Sequence, residues 1–453
     1  MKRLAALAIL GFQVLVSCTL IPKLHMPDSP VNSKYPSGGN TRTAVKEISW
    51  RQVFRDAPLV RLIDIALANN RDLRVAMLRV EEARAQYRIE RSALLPSVSQ
   101  SSDFSRSYQA GMTSNQWQLN LGITSYELDL FGRIRSLNAK ALEQYLAKTE
   151  AQRAAQVTLV AELATQYYTL RQYDELIANT KLTLAIVEES YHLNDSIFKA
   201  GGLLELDLRS AEAQVLTAKA NLIAYERQRD QAENGLVLML GQPLPTNLPV
   251  GQSLADAPVK AVSAGVPSDL LQGRPDIQEA ERTLRAANAD IGAARAAFFP
   301  SIKLTAQEGT VSTELTSLFS KGTAAWSFAP QLTLPIFTGG RNRANLDAAK
   351  IHTRIEIANY EKAIQSAFRE VADALAAQRA AKQRISTLQA LVVAQQRRYD
   401  LASAGDQRGV LSYLNVVAAQ QDLFSAQQNL IGAHYDAVAA RIKLYQAIGG
   451  GWK

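Results

Sequence analysis

Few residues of this chain have the types and spacings that catalysis or metal binding requires. Its four histidines are scattered without metal-ligand spacing: His25, His192, His352 and His434. Two pairs of adjacent carboxylates are predicted on exposed helix faces rather than as acid–base pairs: Glu81 with Glu82, and Glu188 with Glu189. The five methionines form no cluster, and no glycine-rich phosphate loop or activated nucleophile is recognisable. The sequence therefore predicts no catalytic residue, no metal site and no cofactor.

The one cysteine, Cys18, stands where covalent modification is expected. A basic start and a largely apolar run over residues 4–16 precede it. Residues 1–17 therefore read as a secretory signal peptide, too short for a comfortable membrane span. The segment LVSC that ends at Cys18 resembles a bacterial lipobox, which implies acylation of this cysteine, for instance by palmitate. Thr19 follows it rather than Asp, which by the same resemblance implies sorting to the outer membrane; the alternative is an ordinary signal peptide that contains a cysteine.

The composition narrows the class of protein further. The 453 residues carry a formal charge of +8, but no Lys/Arg block and no aromatic-basic interleaving occurs. A solvated charged surface is therefore a better interpretation than nucleic-acid binding. After the signal no stretch has eighteen consecutive apolar residues, which argues against a membrane helix. An envelope protein of this kind is either tethered and soluble or spans the membrane by β-strands.

The chain contains an internal duplication. The stretch Arg71–Val98 and the stretch Gly273–Ile302 share a polar start, an Ala-rich helical run and a proline before alternating residues. Asp72 aligns with Asp276, and Pro96 and Pro300 have the same separation of 204 residues. Such a repeat has to be recognised before any fold is assigned.

Each repeat predicts two strands after the proline. Residues 97–109 and 117–130 form the first pair, with residues 111–116 as the turn. Residues 301–311 and 326–336 form the second pair, with a loop near 312–323. Apolar and polar residues alternate, and both return strands begin with tryptophan, as an aromatic girdle at a membrane interface would require. A soluble hairpin with one buried face is the alternative.

Long helices follow each strand pair, over residues 137–240 and 342–448. Seven-residue spacing, typical of coiled coils, recurs at Leu163, Leu170, Ile177, Leu184 and Tyr191, and 208 residues later at Val371, Gln378, Ile385, Val392 and Tyr399. The stretch from Ala139 to Ala200 has no proline and would form roughly 90 Å of helix. Helices with two narrow, Ala-rich seams favour a ring of helices over an isolated pair.

These patterns divide the chain into six segments. We predict a signal peptide (1–17), a lipidated extended segment (18–48), a first repeat with a short helix near 56–70 (49–243), a linker or equatorial segment (244–272), a second repeat (273–448) and a tail (449–453). Four strands cannot close a membrane barrel, because bacterial barrels begin at eight strands. If the strands lie in the membrane, three chains must share one barrel of twelve.

A specific family resemblance rests on several motifs. The run VPSDLLQGRPDI from Val266 to Ile277, continued by Phe298–Ser301, resembles the hallmark of TolC-like outer-membrane efflux proteins, in particular their lipoprotein (NodT-type) branch. Tyr126–Arg133 and Leu334–Arg341 resemble the family where its strands lead into helices. One departure is Gln272–Gly273, where the family usually has basic residues.

The resemblance implies a mainly α protein with membrane β-structure. A homotrimer would share a 12-stranded outer-membrane β-barrel, and a long helical barrel would extend into the periplasm of a Gram-negative bacterium. The implied partners are a periplasmic adaptor (membrane fusion) protein, an inner-membrane pump of the RND type and outer-membrane lipid, with no nucleic acid. The protein would be a passive exit duct for small toxic compounds and no enzyme.

In this interpretation the turns between long helices form a periplasmic gate. By resemblance to channels that close with charged rings, the gate candidates are Asp400, Asp406, Arg408, Glu205, Asp207 and Arg209. The turns expected to contact the adaptor are Ala200 with Gly201 and Ala404 with Gly405. The alternatives are solvated helix-end charges worth ~0–1 kcal/mol each, and plain left-handed turns.

Three other functions stay open on sequence grounds. A type I secretion channel would have the same architecture. A lipid-anchored coiled-coil scaffold would explain the long helices but not the tryptophan-led strands. An enzyme lacks any constellation of residues to support it.

Overall fold

The computed structural model describes residues 19–36, 49–249, 251–265 and 267–451. The predicted signal peptide and Cys18 lie outside these residues. The first repeat contains α1 (Trp50–Val53), α2 (Ala57–Asn69), α3 (Arg71–Ser92), β1 (Val98–Gln109), β2 (Met112–Leu128), α4 (Arg133–Lys199) and α5 (Glu205–Leu240). The second contains α6 (Pro267–Gly273), α7 (Pro275–Ala296), β3 (Ser301–Ser312), a 3-10 turn (Leu315–Ser317), β4 (Ala324–Thr333), α8 (Arg341–Gln407) and α9 (Tyr413–Ala447).

The described residues form two compact units. The first unit contains the ranges 19–28, 78–150 and 278–362, and the second contains 29–36, 49–77, 151–277 and 363–451, within the described ranges. Helices α3, α4, α7 and α8 have residues in both units. None of the helices in the described ranges has the length and apolar character needed to cross a lipid bilayer.

An antiparallel sheet of order β1-β2-β3-β4 organises the first unit. β2 begins at Met112, so the predicted turn at residues 111–116 is wrong. The real turn is Ala110–Gly111, and both residues have positive φ (52° and 82°), as a two-residue type I′ hairpin turn requires. The error arose because the residues from Met112 to Gln116 are mostly polar and give no hydrophobic alternation.

The last strand is shorter than predicted. β4 ends at Thr333, so Leu334 and Ile336 lie beyond the strand, before the turn that starts α8. Pro335 cannot donate to a strand ladder, which explains why the strand does not continue. Pro330 lies inside β4, opposite Leu304 of β3.

A hydrophobic core organises the second unit. Phe54, Leu163, Tyr168 and Leu236 are essentially buried in it, and the Phe54 ring packs edge-on against Tyr445 at 5.2 Å. The core joins the predicted amphipathic helix α2 to the long helices α4, α5 and α9. A fully buried set of this kind supplies most of the stabilising free energy of such a unit.

The predicted seven-residue spacing marks the packed seams of the long helices. In α8 the successive positions Val371, Gln378, Ile385, Val392 and Tyr399 are buried or half-buried. In α5, where Arg229 interrupts the pattern, its guanidinium bonds Asp174 on α4 at 3.0 Å and Glu233 at 2.7 Å. The interruption is therefore an ionic contact between neighbouring helices.

Candidate functional site

The sheet has one mostly apolar face. Strand register places these side chains together on it: Val98, Phe104, Trp117, Leu119, Leu121, Ile123, Ile302, Leu304, Ala306, Trp326, Phe328 and Leu332. Polar interruptions on this face include Arg106 and Glu308. Trp326 is 81% exposed and Phe328 60%, so this face is not covered by the chain itself. An apolar surface of this size requires an apolar surrounding.

The opposite face is polar. It presents Ser99, Ser101, Asp103, Ser105, Ser107, Gln116, Gln118, Asn120, Gln307, Ser327 and Gln331. Strands with one apolar and one polar face occur in membrane barrels whose interior is wet, where the apolar face contacts lipid.

Two glycines allow the central strands β2 and β3 to approach each other. A Cβ at Gly309 would lie 1.9 Å from the Leu119 carbonyl oxygen, and one at Gly122 would lie 2.2 Å from the Ala306 carbonyl oxygen. β1 and β4 pair on one side only within the described residues, so each leaves an open edge.

The motif that carries the family resemblance forms a buried ionic clasp in the second unit. The Arg274 side chain is 9% exposed and donates to both carboxylate oxygens of Asp276, at 2.9 and 2.6 Å. It also donates to Glu370 and to the Ala447 carbonyl, each at 2.7 Å. Burial lowers the pKa of Arg274, but the two carboxylates outweigh it and raise the pKa. The clasp joins the start of α7 to α8 and to the end of α9.

The two turns between long helices have the same hydrogen bonds at a separation of 208 residues. Gly201 has φ +79° and donates to Phe198 O at 2.8 Å; Gly409 has φ +69° and donates to Asp406 O at 2.8 Å. The next amides donate to the carbonyls of Ile197 and Gly405. These bonds satisfy the last carbonyls of α4 and α8.

The second predicted turn was therefore misplaced. Ala200 and Gly201 lie in the first turn, but Ala404 and Gly405 lie inside α8, and the turn follows at residues 408–412. Gly405 is present for a different reason, since a Cβ there would lie 2.6 Å from Leu411 Cδ1. The small residue lets Leu411 fold back over the helix end.

The six gate candidates make no ionic bond between helices within the described residues. Arg209 bonds Glu205 at 3.3 Å and Glu212 at 2.8 Å, both on its own helix α5. Asp400 accepts from Gln396 at 2.9 Å on α8. Arg408 is exposed and has no carboxylate partner in the described part of the chain. Within the described residues, the ion pairs of these six side chains therefore lie along a single helix.

Asp406 and Asp207 instead bring like charges together. Burial raises the pKa of Asp406, and the nearby Asp207 carboxylate raises it further. Asp406 lies near the end of α8 and Asp207 in the first turn of α5. Two like charges therefore lie near each other at the turn end of the two coils.

Sequence reasoning missed Tyr413, the first residue of α9. Its hydroxyl lies 2.9 Å from Ser190 Oγ on α4, and its ring packs on the cluster of Ala402, Val416 and Ala419. Burial raises the pKa of Tyr413. The contact joins the two coils beside the acidic pair, and only its place right after the turn could have singled it out.

The family follows from comparison with known proteins. A sequence model of the family described as outer membrane efflux protein matches residues 62–242 and again residues 266–450. The chain belongs to this family. The two matches fall on the two repeats, in agreement with the duplication.

Close relatives match this chain over almost their whole length. The antibiotic efflux pump outer membrane protein ArpC of Pseudomonas putida is 44% identical over 466 residues, with 100% of this chain and 96% of that protein covered. The toluene efflux pump outer membrane protein TtgC of P. putida is 43% identical, with the same coverage. The open-state MtrE outer membrane channel of Neisseria gonorrhoeae has a TM-score of 0.90 and 39% identity, over 96% of this chain and 99% of that one.

The chain is accordingly an outer-membrane channel subunit of an efflux system, and its fold is TolC-like. The predicted TolC-like fold and the predicted role as an outer-membrane subunit of an efflux system are confirmed. The apolar face of the sheet is the part of this subunit that suits the outer membrane.

Proposed function

We propose that three copies assemble into a passive exit duct. Each chain supplies four strands to a twelve-stranded barrel and its long helices to a periplasmic tunnel. The open edges of β1 and β4 support this assembly, because unpaired strand edges in lipid cost several kcal/mol for each backbone group. Pairing β1 of one copy with β4 of the next removes every edge in a closed ring.

Exposed apolar side chains on the long helices support the same assembly. They include Leu182, Leu193, Leu216, Ile223, Val393 and Leu401. Soluble surfaces rarely expose so many large apolar residues along single helices, and a neighbouring copy would cover them.

The duct exports small toxic compounds and catalyses nothing. The relatives named for antibiotic and toluene efflux support this substrate class over secreted proteins. An adaptor protein of the periplasm and an inner-membrane pump of the RND type would deliver the compounds. No observation on the chain itself favours the secretion channel or the scaffold.

Cys18 carries the lipid anchor in this proposal. Its acylation would hold the start of the mature chain at the inner leaflet of the outer membrane. A single acyl chain binds weakly, so the shared barrel supplies most of the membrane attachment.

The gate lies at the two turns, and adaptor docking opens it. The exposed guanidinium of Arg408 is available to a carboxylate of a neighbouring copy, such as Asp400 or Asp406. Adaptor contact at Ala200–Gly201 and at the corrected second turn, residues 408–412, would exchange these bonds for others and separate the coils.

Planar-bilayer recording tests the duct and its gate separately. The purified protein should form channels, and absence of any conductance would refute the duct. Asp406→Ala combined with Arg408→Ala should raise the conductance of the closed state. Lys199→Ala is the matched control, because its partner Asp195 lies one turn away on its own helix α4, and it should change conductance less. Equal closed-state conductance in the wild type, the double variant and the control variant would show that Asp406 and Arg408 are not part of the gate.

A further inference from the structure

The segment directly after Cys18 lies along α7. The Asn288 amide donates to the Pro22 carbonyl at 2.9 Å, and Arg295 Nη1 donates to the Leu20 carbonyl at 3.2 Å. Asn288 is 7% exposed, so its side-chain amide is buried and donates to this carbonyl rather than to water. Both hydrogen bonds are accepted by backbone oxygens. They therefore hold the peptide in an extended conformation independently of the identity of its side chains.

A glycine between these two residues makes room for the segment. A Cβ at Gly292 would lie 2.6 Å from Ile21 Cγ1 and 3.0 Å from the Ile21 nitrogen. The same Cβ would lie 2.6 Å from Ser136 Oγ at the start of α4. Ile21 therefore occupies a notch that exists only because residue 292 has no side chain.

Two ion pairs join α4 and α7, the helices that line this notch. Lys140 on α4 bonds Asp290 on α7 at 3.0 Å, and Arg282 on α7 bonds Glu143 on α4 at 3.2 Å. These two half-buried pairs hold α7 against α4 on one side of the notch, toward the start of α7.

The duplicated helix α3 supplies an internal comparison. The positions 204 residues before Asn288, Gly292 and Arg295 are held by arginines: Arg84, Arg88 and Arg91. All three arginines are exposed, and within the described residues no extended peptide is bonded to them. The groove is thus present in one repeat and missing from the other, although general packing needs would apply to both.

We propose that Asn288, Gly292 and Arg295 form a binding groove for the chain's own mature N-terminal segment, Leu20–Pro22. The bound segment begins two residues after Cys18 in the sequence, so an acyl group on Cys18 would be attached to a segment held at the end of α7 that leads into β3. This consequence for the anchor rests on the acylation proposed above, whereas the groove itself does not. The tether between lipid and body is then a bound, protected strand instead of a free linker.

Trypsin cleavage after the exposed Lys23 tests the groove. When opening and reclosing are fast, cleavage follows the population of the released segment. Removing two hydrogen bonds in Asn288→Ala with Arg295→Ala should raise the rate by about ten- to a hundred-fold. Ile21→Asp, which leaves the helix unchanged, and Gly292→Ala should each raise it as well. Arg285→Ala, an exposed residue of α7 paired with Glu281, is the matched control and should leave the rate unchanged.

The result that overturns the proposal needs no variant to fold. Wild-type protein cut after Lys23 as fast as a free peptide of the same sequence would show that nothing holds the segment. Equal rates in Ile21→Asp, the double variant and Arg285→Ala would do the same. The mass of the released fragment reports acylation of Cys18 independently, so a bare fragment released slowly would refute the lipid anchor and leave the groove standing.

Discussion

Replacing Arg274 with alanine should destabilise the second unit strongly. The guanidinium makes four hydrogen bonds, three of them to carboxylates, from a side chain that is 9% exposed. Breaking a buried ion pair costs about 3–5 kcal/mol. Asp276 and Glu370 are 42% and 43% exposed, so water can solvate them afterwards, which favours the lower end of that range. The buried Ala447 carbonyl left without its donor adds about 1–3 kcal/mol.

We therefore expect a total near ~4 kcal/mol for Arg274→Ala. Arg274→Lys keeps the charge but cannot present two parallel donors to Asp276 while reaching the other partners, and we expect about half that loss. The matched control is Arg384→Ala, which breaks the pair with Asp436 whose side chains are both 53% exposed. Such an exposed pair contributes about 0.2–1 kcal/mol.

Guanidinium unfolding in detergent, followed by far-ultraviolet circular dichroism, measures the difference. The order of midpoints should be wild type and Arg384→Ala together, then Arg274→Lys, then Arg274→Ala. The comparison uses midpoints only, because a chain of two units need not unfold in one step. If Arg274→Ala unfolded together with Arg384→Ala, the clasp would contribute no more than an exposed pair, and the reasoning would be refuted.

Three further predictions concern single contacts. Tyr413→Phe removes the hydrogen bond between the Tyr413 hydroxyl and Ser190, and it should lower the temperature at which protease cleaves the turn region. Unchanged digestion would show that this hydrogen bond does not stabilise the turn region. Gly409→Ala forces a side chain to φ +69° and should cost about 1–2 kcal/mol, visible as a lower melting temperature. The Asp56 carboxyl accepts a hydrogen bond from the Tyr167 hydroxyl at 2.8 Å, and burial raises its pKa in the folded protein. The folded protein therefore binds this proton more tightly than the unfolded chain does. The free energy of unfolding then falls as the pH rises from the pKa of Asp56 in the unfolded chain to its pKa in the folded protein. Asp56→Asn keeps the acceptor and should show a smaller loss of melting temperature between pH 4 and neutrality; an identical pH profile would contradict this.

Periodicity explains why the elements could be predicted. A seven-residue repeat specifies a helix seam, and a two-residue repeat specifies a strand face, whatever the rest of the chain does. The sequence therefore predicts the positions of helices α4 and α8 closely, and it also predicts which faces of β2 and β3 are apolar. The predicted start of β2, residue 117, lies five residues after the observed start at Met112, because the residues between them are mostly polar on both faces.

The glycines show where sequence reasoning fails. Gly405 and Gly409 look alike in sequence, yet one makes room for Leu411 and the other adopts a left-handed turn. Only the 208-residue separation from Gly201, which the heptads already showed, distinguishes them. Gly292 has a third purpose, room for Ile21, which depends on a segment over 270 residues away.

Charge partners were beyond prediction for the same reason. Arg209 could have bonded a neighbouring helix but found Glu205 and Glu212 one turn away on its own. Which side chains meet across two coils depends on their rotation about the seam, and seven-residue spacing alone does not specify the outer positions.

Cysteine cross-linking between strand edges tests the shared barrel most directly. The chain has one native cysteine, Cys18, so new pairs can be read cleanly once it is acylated. We would combine Ser101 or Ser105 of β1 with Ser327 or Gln331 of β4, each changed to cysteine on the polar face, and oxidise the protein in membranes. At least one pair should give covalent dimers and trimers and nothing larger. Monomers for every pair, or a ladder that continues beyond three, would contradict the closed ring of three chains.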